Sequence, residues 1–140
     1  MGITLREAMA AIEAGLERAD ERGVPSCIAI VDAGGNLLAF AAHEDAMLAC
    51  RELAINKAYT SLSLRCPSGA LDDAVQPGGP FFGLGTTLGT RPLVTFAGGQ
   101  PLGAGGVVAA VGVSGGTLDD DEDISRTVVA AFDARAGSGA

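Results

Sequence analysis

The sequence feature that most limits the fold is an irregular stretch from Val75 to Pro101, in the middle of an otherwise regular chain. It holds four of the six prolines, and its glycine pairs at 78–79 and 98–99 interrupt any regular element. Strongly apolar segments flank the stretch, and Phe81 and Phe82 favour burial, so we do not interpret it as a linker. Long irregular segments inside a compact domain are usually functional. The stretch therefore predicts one wall of a ligand site.

The part before this stretch predicts a helix, two strands and a second helix. Thr4-Leu-Arg-Glu is a capping box, and a helix with one apolar stripe follows it to about Arg22. We expect strands at Ser26–Val31 and Leu37–Ala42, joined by a five-residue turn. The second helix is expected from about Ala46 to Arg65, with Met47 in its core stripe.

The part after residue 67 predicts fewer helices and more strands. We expect a short extra helix at Ser68–Val75, a strand at Leu93–Ala97, a tight bend at 98–101, a strand at Val107–Val113 and a last helix capped by Thr117 or Asp119. Strands grouped between helices are typical of an α/β (α+β) domain with an antiparallel sheet. We expect one domain over residues 1–136 and a flexible tail at 137–140.

Charge and cysteine content limit the partners and the compartment. The formal net charge of -8 opposes binding to nucleic acid or to an anionic membrane surface. No apolar run reaches the roughly 18 residues that span a bilayer. The three cysteines show no C-x-x-C spacing, so we interpret them as reduced thiols rather than as a disulfide framework or a zinc site. A cytoplasmic protein is the expectation.

Five motifs stand out along the sequence: V-D-A-G-G-N-L (31–37), E-L-A-I-N-K-A-Y-T (52–60), Q-P-G-G-P-F-F-G-L (76–84), L-V-T-F-A-G-G-Q-P-L (93–102) and G-V-S-G-G-T (112–117). With these motifs in this order, the chain resembles the GlcG/HbpS family over nearly its whole length. The C-terminal domain of PduO-type corrinoid proteins belongs to this family. The resemblance implies a profilin-like fold with an antiparallel sheet of about five strands, homo-oligomers, and haem or corrinoid binding in some members.

The candidate catalytic residues are His43, Lys57 and Glu44. Where relatives carry an R-M-D-G-A-like stretch, this chain has A-H-E-D-A, which contains its single histidine. An imidazole exchanges protons near neutral pH, and it is also a haem axial ligand. His43 is a metal ligand only if haem binds, and an exposed histidine without a role is the alternative. Lys57 lies beside apolar positions of its helix, where it either performs proton transfer or Schiff-base chemistry or simply pairs with an acid such as Asp32.

Further residues are expected to contact the ligand. Glycine pairs present backbone amides that bind anions, although ordinary turns use glycine in the same way. Arg51 falls inside the apolar stripe of its helix, where it either binds a ligand or extends its charged end to water. The expected contact residues are Arg51, Gly78, Gly79, Phe82, Thr86, Thr87 and Ser114.

Three functions are compatible with these residues. The first is a protein that binds, or acts by cofactor-independent acid/base chemistry on, a small anionic organic ligand at His43, Lys57 and the 76–87 loop. The second is a haem- or corrinoid-binding accessory or sensor protein. The third is a non-catalytic assembly subunit. The residues do not decide between a haem or corrinoid cofactor and none, nor between an enzyme and a binding protein.

Overall fold

The computed structural model describes residues 2–138, which form three helices and one sheet. The predicted capping box is confirmed: the Glu7 amide donates to Thr4 Oγ1, and Thr4 N–H donates to Glu7 Oε1. Three short 3-10 turns connect the second helix to the third strand. The elements are α1 (Leu5–Arg22), β1 (Cys27–Asp32), β2 (Leu37–Ala42), α2 (Ala49–Leu64), the 3-10 turns (Ser68–Leu71, Asp73–Val75, Leu84–Thr86), β3 (Gly99–Leu102), β4 (Ala109–Ser114) and α3 (Leu118–Ser138).

The sheet has the order β2-β1-β4-β3, and every neighbouring pair is antiparallel. It therefore has four strands where about five were expected, while the predicted α+β class is confirmed. In the centre, β1 pairs with β4 from Cys27 opposite Ser114 to Asp32 opposite Ala109. Helices α1 and α3 cover one face with the main apolar core, and α2 covers the other. Both central strands are buried between these two layers.

The expected strand at Leu93–Ala97 is wrong, because the third strand lies at Gly99–Leu102, where a bend was expected. The main chain at 93–97 is held by side-chain hydroxyls instead: Val94 N–H donates to Thr60 Oγ1 at 2.8 Å. Pro101 is tolerated in β3 because β3 is an edge strand.

Helix α2 lies unusually close to the sheet. A Cβ placed on Gly112 would lie 1.9 Å from the Ala54 carbonyl oxygen, so only glycine fits beneath this helix. The helix begins at Ala49, three residues later than expected, and Met47 is 66% exposed rather than in the core.

The last helix extends further than expected. It continues to Ser138, and residues 139 and 140 of the expected tail lie outside the described residues.

Candidate functional site

Lys57 is the only lysine among the nine Lys and Arg residues of the chain, and it is fully buried. Helix α2 directs its stem along the sheet. Its Nζ donates to the Val113 carbonyl oxygen at 2.9 Å and to Asp121 Oδ2 at 3.1 Å. The ammonium also lies over the ring of Phe96, 5.1 Å from the ring centroid. The predicted position of Lys57 near an apolar face is thus an interior position.

Asp121, in the first turn of α3, is the charge partner of Lys57. Its other oxygen, Oδ1, accepts the Gly116 N–H at 3.0 Å. Burial lowers the pKa of Lys57 and raises the pKa of Asp121, and the attraction between the two charges partly offsets both effects. Asp32, the partner suggested by the sequence, instead accepts the Gly34 and Asn36 N–H groups in the turn between β1 and β2.

His43 follows β2 and connects this strand to the end of α1. Its Nδ1 accepts the Ser26 N–H at 2.9 Å, and its Nε2 lies 3.0 Å from Asp20 Oδ1. A neutral imidazole that accepts at Nδ1 carries its proton on Nε2. Neither nitrogen therefore offers a free lone pair. In this arrangement His43 does not fit the role of a haem axial ligand, since iron would need the Nε2 lone pair.

His43 and Glu44 line a surface cavity of about 270 Å³ between the end of α1 and the end of β2. Asp20 and Asp45 line the same cavity, so carboxylates outnumber cations there. Lys57 is not among the lining residues. The structure therefore joins His43 to Glu44, while Lys57 has its own partners, Val113 and Asp121.

Arg51 and Ser114 occupy structural positions, against the turn before α2 and at the end of β4. Arg51 Nη1 donates to the carbonyl oxygens of Ala46 and Met47, both at 3.2 Å, which completes the turn that precedes α2. Ser114 is buried at the end of β4, directly after the carbonyl group that accepts from Lys57.

The loop residues expected to bind a ligand lie in the most exposed part of the structure. The Gly79 N–H donates to Gln76, and the hydroxyls of Thr86 and Thr87 donate to carbonyl oxygens three residues earlier. Gly78 is exposed, and Phe82 is 66% exposed. The contacts described for these residues are thus local to the loop.

Arg91 attaches the same loop to the far end of the sheet. Its guanidinium stacks on Tyr59, 3.6 Å from the ring centroid, and donates to the Gly35 carbonyl oxygen at 2.8 Å. Gly35 is in the β1–β2 turn, at one end of β1. His43 lies at the other end, where its N–H donates to the carbonyl oxygen of Ser26. The joint role of His43, Lys57 and the loop stays a prediction.

Sequence reasoning did not identify Asp121 or Phe96 as neighbours of the lysine. The available signal was that a single lysine stands among eight arginines, and that an acidic run follows the glycine pair at 115–116. The pairing itself depends on the β4–α3 turn, whose geometry residue types alone do not give.

A second cavity, of about 630 Å³, lies between the 103–108 loop and the end of α3, beside Phe132 and Asp133. None of the predicted site residues lines it. Within residues 2–138 no three His, Cys, Asp or Glu side chains are arranged to hold a metal ion, and no helix is both long and apolar enough to cross a bilayer.

Comparisons with known proteins identify the family. Residues 3–130 match the family model "Haem degrading protein HbpS-like". A 15.0 kDa protein of Citrobacter freundii from the dhaT-dhaS intergenic region is 40% identical over 131 residues, which cover 93% of this chain and 92% of that protein.

The names of two further relatives mention a corrinoid or haem. The corrinoid adenosyltransferase PduO of Citrobacter freundii is 36% identical over 96% of this chain, which spans 40% of PduO. The solved structure named PduOC:Heme Complex is 35% identical, with a TM-score of 0.88, covering 94% of this chain and 95% of that one. This chain therefore belongs to the HbpS-like family.

Proposed function

We propose that this protein is a small-molecule-binding domain of the HbpS type and that haem is the first ligand to test, with a corrinoid second. The observation that carries the proposal is the likeness, over 94% of the chain, to a relative solved as a haem complex. Exposed apolar side chains of the 76–92 loop supply surface for a flat, apolar ligand. These are Phe81, Phe82 and Leu88.

The test is a titration of the purified protein with haemin, followed by the Soret band. We expect a saturable shift of the band, and Phe82→Ser should weaken binding about tenfold, since about 1.4 kcal/mol corresponds to a factor of ten. Met9→Ser, at an exposed apolar position of α1, is the matched control. A spectrum identical to that of free haemin at every protein concentration would reject haem binding.

His43 decides how haem would be held. Because both of its ring nitrogens are engaged, we expect His43→Ala to retain the Soret shift. Loss of the shift in a folded His43→Ala protein would show instead that the ring leaves Ser26 and Asp20 to bind iron.

A second candidate is a small organic acid bound or processed at Lys57, and the observation that favours it is the burial of the only lysine. Lysine, unlike arginine, loses its proton readily when it is desolvated, which suits it to acid/base chemistry. His43 and Glu44 would act in such chemistry only if substrate connects the two places. Thermal-shift screening of small dicarboxylates tests binding, because a ligand selective for the folded state raises the apparent Tm. Turnover retained in both His43→Ala and Lys57→Ala would reject the catalytic form.

We also propose that the chain forms a homo-oligomer through the outer edge of β2. This edge has no strand partner within the sheet, and Phe40, on the α2 side, is 38% exposed. Met47 and Leu48, at the start of α2, are 66% and 82% exposed. Light scattering after size exclusion should show a multimer that Leu48→Glu dissociates, and a monomeric wild type would contradict this. A non-catalytic assembly subunit remains the outcome if no ligand binds.

The three cysteines are free thiols. This chemistry supports the proposal of a cytoplasmic location, where thiols stay reduced. Cell fractionation with antibody detection is the direct test, and recovery outside the cytoplasmic fraction would reject it.

A further inference from the structure

Two polar groups lie beneath the glycine pair Gly98–Gly99, and neither is fully paired. An ammonium has three N–H donors, and Lys57 uses two of them on Val113 and Asp121. The Ser61 hydroxyl is fully buried and has no hydrogen-bond partner among the described residues. Unpaired buried polar groups are uncommon in native proteins and call for an explanation.

Both groups are in close contact with the main chain above them. A Cβ on Gly98 would lie 2.8 Å from Lys57 Nζ, and a Cβ on Gly99 would lie 2.6 Å from Ser61 Oγ. The two glycines are thus the thinnest cover that a polypeptide can provide over these groups.

Residues 93–98, the strap, lead into this glycine pair. Side-chain hydroxyls hold most of the strap: Thr60 Oγ1 accepts from Val94 N–H, and Ser68 Oγ donates to the Phe96 carbonyl oxygen at 2.7 Å. Leu93 and Val94 are buried, whereas Phe96 is 37% exposed. Phe96 therefore combines a surface position with a ring placed against a buried ammonium.

We propose that Phe96 is a movable cover over a small-molecule site with Lys57 and Ser61 as its polar floor, and that the site takes a small ligand bearing a carboxylate or carbonyl oxygen. The proposal rests on the second candidate function above and assigns its entry point. The ammonium and the hydroxyl both donate hydrogen bonds, so an oxygen acceptor satisfies both.

Opening of the cover exchanges one favourable contact of Lys57 for another. When the ring turns away, Lys57 loses a cation–π contact, and the ligand oxygen replaces it with a charge-assisted hydrogen bond. Asp121 remains in place as the charge partner of Lys57. A partly exposed ring can turn without rearranging the sheet.

The single lysine makes the cover directly measurable. Pulse acetylation with acetic anhydride, followed by mass spectrometry of the peptide that contains Lys57, reports access to this amine in the ligand-free protein. We expect slow labelling in the wild type and at least about tenfold faster labelling in Phe96→Ala. Phe81→Ala, which removes an exposed ring of the 76–92 loop, is the matched control and should label like the wild type.

The fold of Phe96→Ala is checked by its thermal transition, and Phe96→Leu provides a second variant that keeps apolar volume while removing the ring. A labelling rate that rises in either variant with a native transition supports the cover. Equal labelling of wild type, Phe96→Ala and Phe96→Leu would overturn it.

The ligand class is tested with succinate as the probe. Succinate should slow acetylation of Lys57 in Phe96→Ala, and Ser61→Ala should reduce this protection in the same background, whereas Ser63→Ala on the exposed side of α2 should not. Absence of protection at any succinate concentration would overturn the assigned ligand class. The ligand-free labelling result stands separately, so failure of the cover and failure of the organic-acid function give different data.

Discussion

Lys57 Nζ lies 3.1 Å from Asp121 Oδ2 in an ion pair that is almost completely buried and that joins α2 to the first turn of α3. Removing one partner of such a pair leaves an uncompensated charge in the interior, which typically costs about 3–5 kcal/mol. We therefore expect Asp121→Asn to lower the free energy of unfolding by about 3 kcal/mol at pH 7, measured by urea denaturation. The double variant Lys57→Met/Asp121→Leu should lose less than Asp121→Asn.

The same variant has a defined pH dependence. Burial lowers the folded-state pKa of Lys57 below its ordinary value of 10.5, while Asp121 raises it, so Asp121→Asn lowers this folded-state pKa further. Between the folded-state value and 10.5 the unfolded chain binds a proton that the folded chain has lost, so stability rises with pH, and in the variant this rise begins at a lower pH. The stability deficit of Asp121→Asn should therefore shrink between pH 7 and pH 10. A deficit that stays constant over this range would show that Lys57 remains charged in the variant.

Gly112 is expected to be the position least tolerant of a methyl group. Its Cβ would overlap the Ala54 carbonyl oxygen, so Gly112→Ala must move α2 away from the sheet, and overpacking of this kind costs about 1–3 kcal/mol or more. Gly105→Ala is the matched control, because nothing lies within 4 Å of a Cβ there. Equal unfolding midpoints of the two variants would contradict the close approach of α2.

The contact of His43 with Ser26 is expected to contribute more to the free energy of unfolding than its contact with Asp20. His43→Ala leaves the Ser26 N–H, in a fully buried residue, without its acceptor, which costs about 1–3 kcal/mol. Asp20→Asn removes only an exposed partner and should cost less than about 1 kcal/mol. Urea denaturation gives both values, and nitrogen NMR of the neutral ring should show the tautomer with its proton on Nε2. A protonated Nδ1 would contradict the assigned hydrogen bond.

Acid should weaken the contact between α1 and α3. Hydrogen bonds from Arg22 and Arg18 lower the pKa values of Asp120 and Asp123 below their ordinary value of 3.8. Their contribution to stability is thus complete above pH 3.8 and is lost as the pH falls through the lowered folded-state values. Thermal unfolding between pH 5 and pH 2 should show a shallower loss for Asp123→Asn than for the wild type. Asp119→Asn, exposed at the same helix end, should follow the wild type.

Local signals in the sequence predicted the regular elements well. The capping box at Thr4, the left-handed Gly23 after α1 and the apolar strands β1, β2 and β4 are all present. These features depend on interactions within a few residues. A glycine inside a strand often marks a neighbouring backbone, and the close approach of α2 at Gly112 agrees with this rule.

The conformation of the strap and the identity of the acid that pairs with Lys57 could not be predicted from the sequence. Residues 93–97 have the composition of a strand, yet Thr60 captures the Val94 amide and keeps the segment on α2. Pairing with an acid such as Asp32 was one alternative for Lys57, but the actual partner depends on how the β4–α3 turn places Asp121. Both outcomes depend on tertiary contacts, which local sequence propensity does not describe.

The central pairing of β1 with β4 joins strands from opposite halves of the chain. During synthesis, α1 and the β1–β2 hairpin leave the ribosome long before their main partner exists. Apolar side chains of β1 then stay exposed until β4 has emerged, because contacts between distant residues form only after a large loop has closed. The order of the four strands thus delays completion of the sheet until β4 is available to pair with β1.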